Sequence, residues 1–260
     1  ESVAAALAGS KAVVNLVGVL TSSGAQNFDV VHGAGAKAVA KAAREAGVAQ
    51  LVHVSAIGAS ANSPSHYARS KAAGENAVLT EMPGAVILRP SLVFGPEDEL
   101  FNRFAAMARI APLMPLVGGG RTKMQPVYVG DVAAAILAAC EGKAKPGTVY
   151  ELGGPEVMTF RKIIELTQEY AGRNRRYISL PYWLAKVMAM GTAPLPKGLG
   201  PLGVGQVRLV GAEKGVSEEA MKEGRTLQGL GVLGPHTVEM IVPTYLESYK
   251  AKGQYSHYRG

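Results

Sequence analysis

The stretch Leu51–Glu75, LVHVSAIGASANSPSHYARSKAAGE, constrains the chain more than any other. It opens as a buried strand, Leu51–Val54, and passes through a loop of small residues rich in Ser and Ala. It then re-enters regular structure as a helix carrying Tyr67 and Lys71. A tyrosine and a lysine four residues apart on a helix lie on one face, one turn from each other. A free phenol titrates near ~10 and is a poor acid or base at neutral pH, but a neighbouring ammonium stabilises its phenolate and brings it towards the working range. Ser55 follows the strand at its carboxyl end, where ligands of open parallel sheets bind, and is placed to hold a carbonyl or hydroxyl opposite Tyr67.

Around this stretch the chain alternates strand and helix. Lys11–Gly18 reads as a buried strand and Val30–Ala46 as a helix with Val31, Ala34, Ala38, Val39, Ala42 and Ala43 at helical spacing, stopped by Gly47. With Leu51–Val54 they form one βαβ crossover, which makes the sheet parallel. A further strand, Ala85–Leu88, leads into Arg89–Pro96, where two prolines rigidify a loop at a strand's carboxyl end. The carboxylates Glu97-Asp98-Glu99 read as caps of the helix Leu100–Arg109 rather than as a metal site. Pro112–Gly120 reads as a Pro/Gly flap, Asp131 as the N-cap of Val132–Cys140, and Val149–Pro155 as another strand.

From Met158 the character changes. Thr159 is placed to cap an amphipathic helix, Phe160–Tyr170, with Ile163, Ile164, Leu166 and Thr167 on one face. Tyr177–Leu180 is extended, Pro181–Met190 apolar, and Val238–Tyr249 a terminal amphipathic helix. Thr192–Gly205, heavy in Pro and Gly, fits a substrate lid, an interfacial segment or a packed small domain. At 260 residues the chain is long enough for a full core, with an expected division into 1–155 and 156–260. The single cysteine, Cys140, excludes a disulfide framework and is expected to be a reduced core residue. No apolar run is long enough to span a bilayer. A net charge of +7 favours acidic partners, among them a phosphorylated cofactor or anionic lipid, while the scattered basic residues do not suggest nucleic acid.

Ser55 followed by Tyr67-Ala68-Arg69-Ser70-Lys71 and Ala72-Ala73-Gly74-Glu75 resembles the Ser and Tyr-x-x-x-Lys constellation of the short-chain dehydrogenase/reductase superfamily. Phe28–Gly47, His53–Glu75, Pro90–Phe104 and Gln125–Val132 narrow the resemblance to its atypical, epimerase/dehydratase-like branch, which includes the nucleotide-binding accessory subunit of respiratory complex I. The resemblance implies a Rossmann-like doubly wound parallel sheet with a smaller C-terminal domain. In such a sheet a Gly-rich phosphate-binding turn follows the first strand, and no such turn precedes Asn15; Gly33-Ala34-Gly35 opens a later helix. The native product is therefore expected to be longer by two or three βα units, and the strand ending Asn15-Leu16-Val17-Gly18 to be a central one.

The resemblance also implies a nicotinamide dinucleotide, NAD or NADP, with NADPH preferred. Its contacts are expected at Asn15, Leu16, Val17, Gly18, Ser55, Tyr67, Lys71 and, through backbone groups, at Pro90, Ser91, Leu92 and Val93. Two functions follow. The chain is a structural or assembly subunit of NADH:ubiquinone oxidoreductase, partnered by other complex I subunits, with a peripheral membrane contact on the bacterial cytoplasmic or mitochondrial matrix side. Alternatively it is a soluble reductase or sugar-nucleotide epimerase/dehydratase, with Tyr67 as proton donor or acceptor, Lys71 tuning it and orienting the ribose, and Ser55 positioning the substrate oxygen.

Overall fold

The computed structural model describes residues 2–20, 24, 26–191 and 215–250. Their strands are β1 (Ala12–Asn15), β2 (Gln50–Val54), β3 (Val86–Pro90), β4 (Val93–Phe94), β5 (Leu113–Val117), β6 (Lys123–Met124), β7 (Val127–Tyr128), β8 (Val149–Leu152), β9 (Met158–Thr159) and β10 (Arg176–Leu180). The helices are α1 (Ser2–Leu7), α2 (Ala36–Glu45), α3 (His66–Glu81), α4 (Leu100–Ile110), α5 (Val129–Cys140), α6 (Phe160–Tyr170), α7 (Tyr182–Gly191), α8 (Glu218–Lys222) and α9 (Val238–Leu246). They fall into two compact units. One holds the described residues of Glu1–Ser91, Gly130–Gly153 and Val216–Pro235; the other holds those of Leu92–Val129, Gly154–Gly215 and His236–Gly260. The chain thus crosses between units five times, and a single cut at 155/156 reproduces only the crossing near Gly153.

The first unit is a parallel α/β layer. Its sheet has the order β1-β2-β3-β8, every pair parallel, with Val14 opposite Val52, His53 opposite Ile87 and Leu88 opposite Tyr150. Leu51, Val52, Val86, Ile87 and Leu88 are all buried, as expected of strands covered on both faces. Each such side chain contributes about 1.5–3 kcal/mol of hydrophobic stabilisation. Within this Rossmann-like parallel sheet β1 lies at the edge of the described strands, with Val14 exposed. It is also shorter than expected: ladder pairing ends at Asn15, and Leu16–Gly18 leave the sheet.

The helix expected over Val30–Ala46 begins as a wide π-helical turn, Asp29–Gly35, before α2. It buries His32, Ala36, Ala40, Ala42 and Ala43, so the expected Ala42 and Ala43 are inside, while Ala34 and Ala38 point to solvent. A π turn carries one residue more than an α turn, so positions counted through it are rotated by about 100° from the α-helical count, and alanine marks a face only weakly. α3 starts where Ser65, in extended conformation, accepts a hydrogen bond from the Ala68 amide through its Oγ. It stops at Met82, which Pro83 keeps out of the helical region. The buried face of α3 is largely polar or small, comprising Ser70, Lys71, Ala72, Gly74, Glu75 and Val78.

The second unit packs α4, α6 and α9 around Phe94, Phe101, Phe104, Met114, Leu116, Phe160, Ile163, Ile164, Val242 and Leu246. Asp98 accepts from the Phe101 amide at 2.6 Å and Thr159 from the Lys162 amide at 3.2 Å, so both expected caps form. The expected flap at Pro112–Gly120 does not exist. Leu113–Val117 is a strand paired in parallel with Arg176–Leu180, and Met114, Leu116 and Val117 are core residues. Only Gly118–Gly120 turn, with φ of 58°, 70° and 71°, a region other residues enter at a cost. Asp131 is not an N-cap: α5 already begins at Val129, which leaves Asp131 buried within its first turn. Cys140 is a free thiol at intermediate exposure rather than a core residue. Thr192–Gly205 lies outside the described residues, and among those described no helix is long and apolar enough to cross a membrane.

Candidate functional site

Ser55, Tyr67 and Lys71 belong to the first unit, where β2 and α3 bring two of them together. The Lys71 ammonium is buried and donates to the Val54 carbonyl at 3.0 Å, the residue immediately before Ser55. The Ser55 amide donates to the Leu88 carbonyl at 2.7 Å, which fixes its backbone, yet its buried Oγ has no hydrogen-bond partner among the described residues. A buried hydroxyl without a partner costs about 1–3 kcal/mol, so it marks a place where another polar group belongs. Tyr67, one turn before Lys71, packs its ring edge-on against Phe28 and His32 at centroid distances of 5.8 and 5.5 Å.

The loop after β1 approaches the same place. Asn15 is buried; its Nδ2 donates to His53 Nδ1 at 3.1 Å and its Oδ1 accepts from the Val17 amide at 3.1 Å. The Val19 amide donates to His32 Nε2 at 3.0 Å. Gly18 is held between these two anchored amides. A Cβ there would sit 3.5 Å from His32 Nε2 and 3.6 Å from Lys71 Nζ, so the backbone passes beside the lysine with no side chain interposed.

Burial governs the electrostatics. It lowers the Lys71 amine to about 8, with the nearby Glu75 carboxylate opposing the shift. The Tyr67 phenol is raised by burial, the reverse of the lowering expected from its lysine neighbour, because desolvation of the phenolate dominates and Lys71 Nζ is directed to a backbone carbonyl. His32 and His53 are each lowered to about 4 by burial, reinforced by the charge of Lys71. Behind Lys71, Glu75 takes a two-pronged hydrogen bond from Arg89 at 2.9 and 2.6 Å, and Arg89 also lies 3.7 Å from Glu151.

Of the residues expected at the site, Asn15, Gly18, Ser55 and Lys71 converge through these contacts, and Tyr67 joins them through the helix and its aromatic neighbours. Leu16 and Val17 lie in the same loop with 64% and 60% of their surface exposed. Pro90 and Ser91 are engaged by the sheet: the Pro90 carbonyl accepts from Ile57, and the Ser91 amide donates to Leu152, which removes it as a free donor. Leu92 and Val93 belong to the second unit. Sequence reasoning missed His32, His53 and Phe28. The one available signal was a histidine at an apolar helix opening, and the π turn concealed its face.

The family model described as "NAD dependent epimerase/dehydratase family" matches residues 1–153. The chain is 34% identical over 262 residues to the mitochondrial NADH dehydrogenase (ubiquinone) 1 alpha subcomplex subunit 9 of Arabidopsis thaliana, covering 97% of this chain and 64% of that protein. It is 36% identical over 133 residues to a ceramide reductase of Caulobacter vibrioides, covering 51% of this chain and 41% of that one. A UDP-glucuronic acid 4-epimerase variant from Bacillus cereus, solved with a fluorinated UDP-glucuronic acid and NAD, superposes with a TM-score of 0.69 at 17% identity, over 95% of this chain and 79% of the other. That likeness is one of fold. The chain spans 64%, 49% and 52% of the length of three curated subunit 9 relatives. With more than half of its length matched by the family model, the chain belongs to the NAD-dependent epimerase/dehydratase family.

Proposed function

We propose that the protein holds a nicotinamide dinucleotide as a structural or assembly subunit of respiratory NADH:ubiquinone oxidoreductase. The observation that carries this reading is the state of the Tyr-Lys pair. Lys71 Nζ is tied to the Val54 carbonyl and burial raises the Tyr67 phenol where a free ammonium would lower it, an arrangement suited to gripping a ligand's hydroxyls rather than to cycling a proton. The residues present fit such a group. Ser55 Oγ has no partner among the described residues, Lys71 Nζ has donors beyond the one it uses, and Gly18 leaves the loop open beside the lysine. A ribose hydroxyl or a carboxamide supplies what these atoms lack, and the dinucleotide's own chemistry is hydride transfer. The unit containing β1, β2, β3 and β8 is the nucleotide-binding one, and the other unit makes the substrate or partner contacts. Similarity to the mitochondrial subunit 9 of Arabidopsis thaliana over 97% of the chain supports the subunit role, other complex I subunits as partners and a mitochondrial location. The net charge of +7 supports the phosphorylated dinucleotide.

Intact Ser55, Tyr67 and Lys71, together with 36% identity to a ceramide reductase over half the chain, favour a second reading, a reductase acting on a carbonyl substrate. The deciding experiment is to purify the protein from its own cells, denature it, identify any nucleotide released and record what co-purifies. Stoichiometric nicotinamide dinucleotide with respiratory-chain subunits is the expected result. A freely exchanging nucleotide on a protein without such partners overturns it in favour of the reductase. Tyr67→Phe separates the two independently: under the holding role it weakens dinucleotide binding and no turnover is there to lose, whereas a catalytic Tyr67 gives loss of turnover with affinity kept within about threefold.

A further inference from the structure

We propose that His32 is a positioning residue that ties the loop after β1 to the first turn of α3, its two ring nitrogens doing separate parts of that work. The inference rests on the dinucleotide-holding reading of the same site. The directions of the hydrogen bonds follow from chemistry. A backbone amide can only donate, so Nε2, 3.0 Å from the Val19 nitrogen, is the bare nitrogen of the ring. In the neutral imidazole the proton is then on Nδ1, which donates to Ser70 Oγ at 2.9 Å. Ser70 in turn donates its hydroxyl to the Tyr67 carbonyl at 2.8 Å. One chain of donors therefore runs from the Val19 amide through His32 and Ser70 to the backbone of the residue that carries the phenol.

The ring has little freedom to shift. It stacks on Phe28 at 5.5 Å with 15° between planes and meets the Tyr67 ring at 86°. The His32 carbonyl lies so close to α3 that a Cβ on Gly74 would be 2.2 Å from its oxygen. Since Asn15 holds the Val17 amide and His32 the Val19 amide, Gly18 is suspended between two side-chain acceptors, beside Lys71 Nζ. Releasing either end lets Gly18 move relative to Lys71. An apolar residue at position 32 would fill the space but hold neither amide nor hydroxyl.

The test divides the two nitrogens. In His32→Gln the amide oxygen reaches the Nε2 position and keeps the Val19 acceptor; in His32→Asn the amide nitrogen matches Nδ1 and keeps only the Ser70 donor. Full-chain protein is titrated with NADH and NADPH, and Val19 amide exchange is followed by NMR. Each variant breaks one of the two links, so both are expected to weaken dinucleotide binding about tenfold, while only His32→Asn speeds Val19 exchange and His32→Gln keeps it within about threefold of wild type. Wild-type binding in both variants, or Val19 exchange that is equal in the two, overturns the inference. If the wild-type protein binds neither dinucleotide, the holding reading fails, and the Val19 exchange contrast alone decides the positioning role. If His32→Asn does not fold, 15N NMR of the wild-type ring decides: a neutral ring protonated on Nδ1 supports the inference, and one protonated on Nε2 overturns it.

Discussion

Gly74→Ala is the substitution that most directly probes how α3 is seated. Alanine is the better helix former by about 1 kcal/mol, so in an exposed helix the change would stabilise. Here the added Cβ would lie 2.2 Å from the His32 carbonyl oxygen and 3.2 Å from its carbon, both of them backbone atoms. Restoring an ordinary contact requires the π-helical turn and α3 to separate by about 1 Å, and overpacking of that kind costs roughly 1–3 kcal/mol. Because the obstacle is main chain on both sides, with no flexible side-chain end to yield, the upper part of that range applies. The net expectation is a loss of about 1–2 kcal/mol after the gain in helix propensity. Gly33→Ala is the matched control: it lies in the same π-helical turn, and its Cβ would meet nothing within 4 Å. Equilibrium urea denaturation followed by far-ultraviolet circular dichroism gives both values. A Gly74→Ala protein as stable as Gly33→Ala would refute the close approach and, with it, the seating of His32 described above.

Other consequences are equally direct. Glu75→Leu leaves the Arg89 guanidinium facing an apolar group with only the more distant Glu151 nearby, and should cost about 3 kcal/mol in urea denaturation, most of it recovered in Glu75→Leu/Arg89→Met; a loss below about 1 kcal/mol would show the pair to be dispensable. His32 and His53 have folded-state values near 4, below the unfolded 6.5, so the unfolded chain takes up protons first. Their contribution is complete above about pH 6.5 and is lost as the pH falls towards 4, by up to about 3 kcal/mol for each; a urea midpoint unchanged between pH 7 and 4.5 contradicts this. Lys71, lowered to about 8, sheds its proton as the pH rises through that value, so dinucleotide affinity should fall above it, and Lys71→Arg should flatten the profile.

Local signals made much of this protein legible from its sequence. The apolar runs at Leu51–Val54 and Ala85–Leu88, the hydroxyl cap at Thr159 and the four-residue spacing of Tyr67 and Lys71 are all short-range features, set by the pleat of a strand, the orphan amides of a helix start and 3.6 residues per turn. The apolar run Leu113–Val117 was misread because its strand character depends on pairing with Arg176–Leu180, a partner far along the chain. The same holds for the division into units, which interleaves segments that no single composition change marks. At the site, sequence placed the lysine one turn from the tyrosine, but only the packed structure decided that Lys71 faces the Val54 carbonyl, that His32 catches Val19 and that burial raises the phenol instead of a cation lowering it. Spacing along a chain sets which side chains share a face. Solvent exclusion and the partners of buried polar atoms are set by elements distant in sequence, and these determine ionisation and grip.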